Sequence, residues 1–458
     1  MAFEVEGLED GSFLWGAPFL SRRAAEIPAP PILFLTLDTT RWDSVAPFSN
    51  EPGLTPNLAD FADHAMVFSN AWATAPWTLP SHASMFTGLY PSHHGAGVTD
   101  DALALDRRTL AEELRKNGYR TGGFIGGHMS SSVFGIAQGF SVYHDPEGWE
   151  ASAYLVTSDA LSFIEENAEA PFFAFLNYFD PHEPYEAPEK FRKLIGVEES
   201  AALVQDDPVW GPLARGEAGS WNALRTGEAP PTQAGIDYHT KTYQAEIAFM
   251  DAQIGRLFDS LRRGGIYDDA LIVVVADHGE FLGEGGLYSH SYRLDPELTR
   301  VPLLIKWPGQ TQGEIVTDLV SQVDLFAAVL AAAGIEVPVS DGYPLVSDST
   351  AFVAGRDTVF MEEHVCRIHQ LLGPNKIADH LFGLQWLDRR EIIVGRKLEC
   401  LNLEAGAWQA VPCTSSLDDR ISLLSEQMLA SARLTAEHSP EDLAEDEAEK
   451  LRALGYLE

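Results

Sequence analysis

Apolar residues along the chain fall into two patterns. The first is a short continuous run, seen in Ile32-Leu33-Phe34-Leu35-Thr36-Leu37, in Phe172-Phe173-Ala174-Phe175-Leu176-Asn177-Tyr178-Phe179 and in Leu271-Ile272-Val273-Val274-Val275-Ala276. Runs of this length without alternation predict strands buried on both faces of a parallel sheet. Val301-Pro302-Leu303-Leu304-Ile305 predicts a further strand, and Tyr119 to Gly126 a weaker one. The second pattern has helical spacing. From Tyr243 onward Ile247, Met250, Ile254, Leu257 and Leu261 recur at intervals of three and four, predicting a long amphipathic helix that stops near Gly264-Gly265. Shorter helices are predicted from Thr109 to Asn117, where Leu110 and Leu114 share a face, and from Ser152 to Glu166. Thr55 reads as the N-cap of another helix, with Pro56 in its first position. Strands and helices alternate, so the fold class is α/β, with a large, mostly parallel sheet flanked by helices.

The same patterns divide the chain. Residues 1–29 read as an N-terminal leader and 30–345 as the main domain, within which 187–236, rich in proline, glycine and polar groups, reads as an insertion or lid. Short apolar runs at Glu391–Val394 and Cys400–Leu403, with a helical stretch from Leu417 to Leu434, predict a small α+β subdomain over 346–435. The remaining tail, 436–458, carries seven acids between 437 and 449 and reads as a solvated segment.

Each of the three long apolar runs hands over to an acid: Asp38, Asp180 and Asp277, the last followed by His278, Gly279 and Glu280. Open α/β sheets gather their chemistry at the carboxyl ends of their strands. Between the first two runs lies Ala75-Pro76-Trp77-Thr78-Leu79-Pro80-Ser81-His82-Ala83-Ser84-Met85-Phe86-Thr87-Gly88. Its prolines place Thr78 in the turn that enters a helix, near free backbone N–H groups and the positive end of the helix dipole. That setting suits an oxygen nucleophile attacking a phosphate or sulfate ester, and it equally suits an ordinary threonine N-cap. If the sheet is parallel, Asp38, Thr78, Asp277 and His278 converge. Two carboxylates, an imidazole and an alcohol oxygen suit Zn²⁺ or Mn²⁺ better than Ca²⁺.

Composition narrows the partners. Lys+Arg 31 against Asp+Glu 68 gives a formal net charge of −37, which excludes a general nucleic-acid surface. No apolar run approaches the roughly 20 residues of a spanning helix, and the acidic N-terminus does not resemble a signal peptide, so a soluble, cytoplasmic protein is expected. A homo-oligomer is compatible with the sequence. The three cysteines, Cys366, Cys400 and Cys413, show neither even count nor regular spacing, so no disulfide framework or zinc knuckle is indicated.

Thr78-Leu79-Pro80-Ser81-His82 through Thr87-Gly88, with Tyr90-Pro91 and His94-Gly95, resembles the C/S/T-x-P-S-R signature and following G-x-Y-P-x-x-H-G of the sulfatases within the alkaline phosphatase superfamily. Asp38, the His182/Pro184 pair, and Asp277-His278-Gly279 followed by Arg300-Val301-Pro302 match the family's other blocks in the same order. The resemblance covers roughly residues 30–345 and implies an alkaline-phosphatase-like fold with a small C-terminal subdomain. It also implies metal ligands Asp38, Thr78, Asp277 and His278, catalytic roles for Thr78, His182 and His290, and substrate contacts from His82, His182 and His290. One divalent metal is implied; a second, held by Asp180, His182 and His290, is the weaker alternative because the spacing departs from D-x-x-x-H. His93, His94 and His128 read as structural, and Arg41 as a fold residue.

The departures from the family pattern shift the expected chemistry. Formylglycine sulfatases need Cys or Ser where Thr78 stands, because threonine would give a ketone rather than an aldehyde. Asp38-Thr39 replaces an Asp-Asp pair, His278 replaces an amide, and His82 replaces an arginine. In this form the chain is similar to threonine-nucleophile phosphodiesterase and phosphonate monoester hydrolase-like members. The expectation is a metal-dependent phosphoesterase working through a phospho-threonine intermediate on a small-molecule ester. The alternatives are a sulfuric ester hydrolase, a soluble phosphoalcohol transferase and a catalytically inactive binding protein.

Overall fold

The computed structural model describes residues 29–345, apart from 50, 52, 99–100, 149 and 218–231, together with 355–363, 381–385, 389–394, 397–404 and 407–413. Nine strands form the main sheet: β1 (Ile32–Leu37), β2 (Met66–Trp72), β3 (Arg120–Ile125), β4 (Val142–His144), β5 (Phe172–Tyr178), β6 (Leu271–Val275), β7 (Arg300–Val301), β8 (Leu303–Lys306) and β9 (Glu314–Ser321). Their order is β9-β2-β8-β6-β1-β5-β3-β4, with β7 paired to β2. At the centre β1 lies parallel to both β5 and β6, with Phe34 abreast of Phe175 and Val273. All three of these strands are buried along their whole length, as continuous apolar runs require. Pro302 breaks the expected 301–305 strand in two. Both pieces run antiparallel to their neighbours.

The long helix spans Gln233–Arg263, beginning ten residues before the apolar periodicity from Tyr243 signals it, and Thr232 caps it by accepting from the Gly235 amide. Within 187–236 the described residues carry helices at Glu189–Ile195, Val197–Val204 and Trp210–Ala214. Trp210 is fully buried against Gly235, where any Cβ would lie 1.8 Å from the indole nitrogen. Gly235 falls within the proline- and glycine-rich stretch 187–236 that reads as an insertion or lid. Here its missing side chain is what lets the tryptophan dock.

The helix Pro56–Ala62 starts where expected, but Thr55 does not cap it: its hydroxyl accepts from the Ala46 amide at 3.0 Å. Asp251 of the long helix does the capping, accepting from the Asn57 and Leu58 amides at 3.1 and 2.9 Å. Thr109 does cap its own helix, Leu110–Lys116, through a reciprocal pair with Glu112.

Beyond residue 345, five antiparallel strands, Val359–Glu363, Leu381–Gln385, Arg389–Val394, Lys397–Glu404 and Ala407–Val411, form a second sheet in sequential order. It joins the main domain through Glu362, whose amide donates to the Thr74 carbonyl and whose carboxylate accepts from Ser92. Arg356 also spans the junction to Asp324. Cys400 and Cys413 form a disulfide, contrary to the reading of the cysteine count. Its cause is local: the last hairpin sets Cys400 opposite Val411, so a residue two positions further on reaches it. Disulfides belong to oxidising compartments, so the expected cytoplasmic location gains no support from this bond. Among the described residues no helix is long and apolar enough to cross a membrane. The leader, the 417–434 helix and the acidic tail lie outside the described residues, apart from position 29.

Candidate active site

Three chain segments deliver the site. At the end of β1 the Asp38 amide donates to the Tyr178 carbonyl at 2.9 Å, and Thr39 adopts a left-handed φ of 52°. That turn lets the Thr39 amide donate to Asp277 Oδ1 at 3.2 Å, while the His278 amide donates to the same oxygen at 2.8 Å. At the end of β6 Gln322 pins the turn, donating to the Ala276 and Asp277 carbonyls at 2.9 and 2.7 Å and accepting from the Thr74 amide at 3.1 Å. Gly279 must be glycine because a Cβ there would lie 2.0 Å from the Glu297 carbonyl oxygen.

The third segment is the helix Thr78–Thr87, whose N-cap is the extended residue Trp77. Thr78 is therefore the first helical residue and not the cap, and its hydroxyl is turned into the site: Oγ1 lies 3.4 Å from His278 Nε2. One turn on, His82 faces back, with Nδ1 at 2.9 Å from the Thr78 carbonyl and Nε2 at 3.0 Å from Thr36 Oγ1. Asn177 donates to Thr36 Oγ1 at 3.1 Å and holds the Gly127 amide at 2.9 Å, so a buried chain of polar contacts runs beneath the Thr78–Thr87 helix. A carbonyl only accepts, so His82 carries its proton on Nδ1.

The residues at this convergence fit a cation. Asp38, Asp277 and His278 are fully buried, and each offers one ligand atom within 4.8 Å of the others. Neither Asp38 oxygen nor Asp277 Oδ2 accepts a hydrogen bond of normal geometry, although all three are out of contact with water. Orphaned buried acceptors of this kind are rare and need an explanation. His278 Nδ1 lies 2.9 Å from the Gly279 carbonyl, which places the proton there and leaves the Nε2 lone pair facing Asp277 Oδ2 at 3.5 Å and Asp38 Oδ1 at 3.8 Å. Burial and the neighbouring Asp277 charge drive the Asp38 pKa well up, and burial lifts Asp277 to about 6 against the opposing charge of His82. Burial takes His278 down to about 4, so its imidazole is neutral and ready to ligate. Two carboxylates forced together beside an imidazole lone pair are complementary to a positive ion.

The expected second group of residues separates. His290 lies beside the cluster, its ring 4.5 Å from that of His278 and 5.0 Å from that of His182, which is itself stacked on Phe179 at 4.3 Å. Asp180 does not join them. Its Oδ2 accepts from the Ala153 amide at 2.7 Å, at the start of the Ala153–Asn167 helix, so it serves that helix terminus. Among the described residues the Asp38–Asp277–His278 group is the one set close enough to hold an ion. His94 is bound by Ser84 and the Ala96 amide, His93 by Asp341, and Arg41 by Asp43 and Glu284. Gln322, Thr36 and Asn177 escape sequence reasoning because no local pattern ties them to the site. Glu280 stands in the run Asp277-His278-Gly279-Glu280, and its sequence position alone assigns it no role.

The chain has clear relatives. A family model described as Sulfatase matches residues 30–335. The uncharacterized sulfatase YidJ of Escherichia coli is 24% identical over 356 residues, covering 68% of this chain and 69% of that protein. A structure solved in complex with its substrate D-glucosamine-2-N,6-O-disulfate superposes with a TM-score of 0.70 at 18% identity, covering 88% of this chain and 98% of the other. The phosphonate monoester hydrolase of Silicibacter pomeroyi superposes with a TM-score of 0.68 at 22% identity, covering 90% and 96%. With the family model spanning the entire main sheet and the cluster at its heart, the chain belongs to the sulfatase family of the alkaline phosphatase superfamily and is a sulfatase-type hydrolase.

Proposed function

We propose that the chain hydrolyses phosphate esters, either phosphodiesters or phosphonate monoesters, by direct attack of Thr78 on phosphorus. The observation that carries this reading is an unmodified threonine hydroxyl at a helix N-terminus, 3.4 Å from His278 Nε2 and beside two orphaned carboxylates. A threonine cannot become the aldehyde that formylglycine sulfatases use. Its own oxygen must attack, which forms a phospho-threonine that water then resolves.

Asp38, Asp277, His278 and Thr78 Oγ1 would hold one divalent cation, Zn²⁺ or Mn²⁺ by the mixed oxygen and nitrogen donors. Such an ion supplies Lewis acidity that lowers the threonine hydroxyl pKa. The residues do the rest. The helix N-terminus faces the anionic ester with free amides. His182 and His290 hold non-bridging oxygens or protonate the leaving group. His82, with both nitrogens on protein atoms, steadies Thr78 from beneath rather than touching the ester.

A second reading, sulfate ester hydrolysis, is favoured by the Sulfatase match and by the disulfated glucosamine bound to a structural neighbour. One assay separates them: wild type and Thr78→Ala, loaded with Zn²⁺, Mn²⁺ or Ca²⁺, on bis(p-nitrophenyl) phosphate, p-nitrophenyl phenylphosphonate, p-nitrophenyl phosphate and p-nitrophenyl sulfate. The diester or phosphonate rate should lead with Zn²⁺ or Mn²⁺, and Thr78→Ala should lose at least about 10³-fold. Dominant sulfate turnover would select the second reading, and full activity in Thr78→Ala would remove the nucleophile.

A further inference from the structure

Glu280 ends the run Asp277-His278-Gly279-Glu280, and the chemistry above makes no use of it. Its side chain is 1% exposed, and both of its carboxylate oxygens lie 3.3 Å from Nδ1 of His290, which is itself buried. The pairing follows from a small antiparallel hairpin, Phe281–Leu282 with Tyr288–Ser289, in which Phe281 is abreast of Ser289. Glu280 immediately precedes the first strand and His290 immediately follows the second, so the hairpin closes on this contact. Both ends are tied down. Arg41 Nη1 donates to the Glu280 carbonyl at 3.2 Å, and the Ser291 amide donates to the Pro76 carbonyl at 3.1 Å, two residues before the nucleophile.

We propose that Glu280 is a positioning residue that holds the His290 ring with Nδ1–H toward its carboxylate, so that Nε2 is the nitrogen presented to the ester. This rests on the role given to His290 above. A histidine has two ring nitrogens, and the partner of one decides which face and tautomer the other offers. With Nδ1 committed, the ring in its protonated form gives its Nε2 proton to the leaving oxygen as the bond from that oxygen to phosphorus breaks and the deprotonated Thr78 oxygen forms its own. The neutral ring then takes a proton at Nε2 from the water whose oxygen bonds to phosphorus, and Thr78 leaves as the alkoxide it began as, which restores the protonated ring. Glu280 accepts the Nδ1–H bond throughout and gains no proton.

The test is a double-mutant cycle on the metal-loaded enzyme with bis(p-nitrophenyl) phosphate, using Glu280→Ala, His290→Ala and the double variant, with kcat, KM, Tm and metal content for each. Glu280→Ala and His290→Ala should each lower kcat by about 10²-fold with little change in KM. The double variant should be no slower than His290→Ala, because Glu280 acts only through the ring. Glu280→Gln, which keeps an acceptor oxygen, should recover part of the loss. A double variant slower than His290→Ala by the full Glu280→Ala factor would overturn the proposal, as would Glu280→Ala losing metal in proportion to rate. Full kcat in His290→Ala would overturn it together with the role assigned to that histidine. The wild-type rate on this diester tests the functional reading separately; if only p-nitrophenyl sulfate is turned over, that reading fails and the same cycle is decided on the sulfate ester.

Discussion

Thr78 faces two partners through two atoms: its hydroxyl meets His278 and its carbonyl meets His82. The β-methyl restricts χ1, so the hydroxyl is aimed as well as present. Thr78→Ser should therefore keep turnover within about tenfold, a barrier change near 1.4 kcal/mol, because the oxygen survives and only its aim loosens. Thr78→Val keeps the branched shape and removes the oxygen. It should abolish turnover while leaving the thermal midpoint near that of wild type, and a fully active Val variant would contradict direct attack. Gln322 acts on the opposite wall, where its one side chain serves two carbonyls and one amide at the end of β6. Gln322→Leu strands those groups out of water, at about 1–3 kcal/mol for each buried group left unpaired. A lower urea midpoint together with weaker metal retention is the expected result, and an unchanged midpoint would show that the turn holds without it.

At the scale of elements, the junction between the Ala153–Asn167 helix, the loop carrying His182 and the long helix is built on two acids, half-buried Asp180 and buried Glu246. Burial, with the Glu150 charge, lifts the Asp180 pKa from 3.8 to about 7, and burial with the Asp180 charge takes Glu246 well up. The folded protein binds the Asp180 proton more tightly than the unfolded chain does, so stability falls as pH rises from about 4 through about 7. Asp180→Asn keeps an acceptor for the Ala153 amide and removes the charge. It should raise Tm at pH 8 and leave it unchanged below pH 4; equal effects at both would refute a charge origin. The elements themselves were unevenly legible. Strands β1, β5 and β6 were plain because each is buried on both faces. Strand β2 places half-buried Ser69 and Asn70 mid-run, and β9, on an edge, carries exposed Glu314, Thr317 and Asp318 among its apolar residues. These two strands pair across roughly 250 residues of sequence, a relation no local window contains. The start of the long helix was hidden because its first turns are polar and its glycine is there for Trp210.

For the whole molecule, the decisive fact is that β1 and β6 are parallel neighbours in register, so their ends deliver Asp38 and Asp277 side by side although 239 positions separate them. This much was readable from acids following apolar runs. The same rule failed for Asp180, which follows β5 in the same way yet caps a helix, because a strand end does not say which way the next side chain turns. What the assembled sheet creates is a buried pair of carboxylates, three of whose oxygens accept no hydrogen bond of normal geometry among the described residues. Ion binding and global stability must then be linked, since the unfolded chain, with these segments apart, offers no such site. Stripping the protein with chelator and titrating Zn²⁺ or Mn²⁺ back should raise the thermal midpoint in step with site occupancy, by about 2.7 kcal/mol of stability at a hundredfold excess over Kd. Asp38→Asn and His278→Ala should each fold yet lose most of that rise, while Asp180→Asn should keep it in full. A rise produced by Ca²⁺ alone would reassign the ion, and no rise with any divalent cation would leave the orphaned oxygens of Asp38 and Asp277 to be explained by protonation instead.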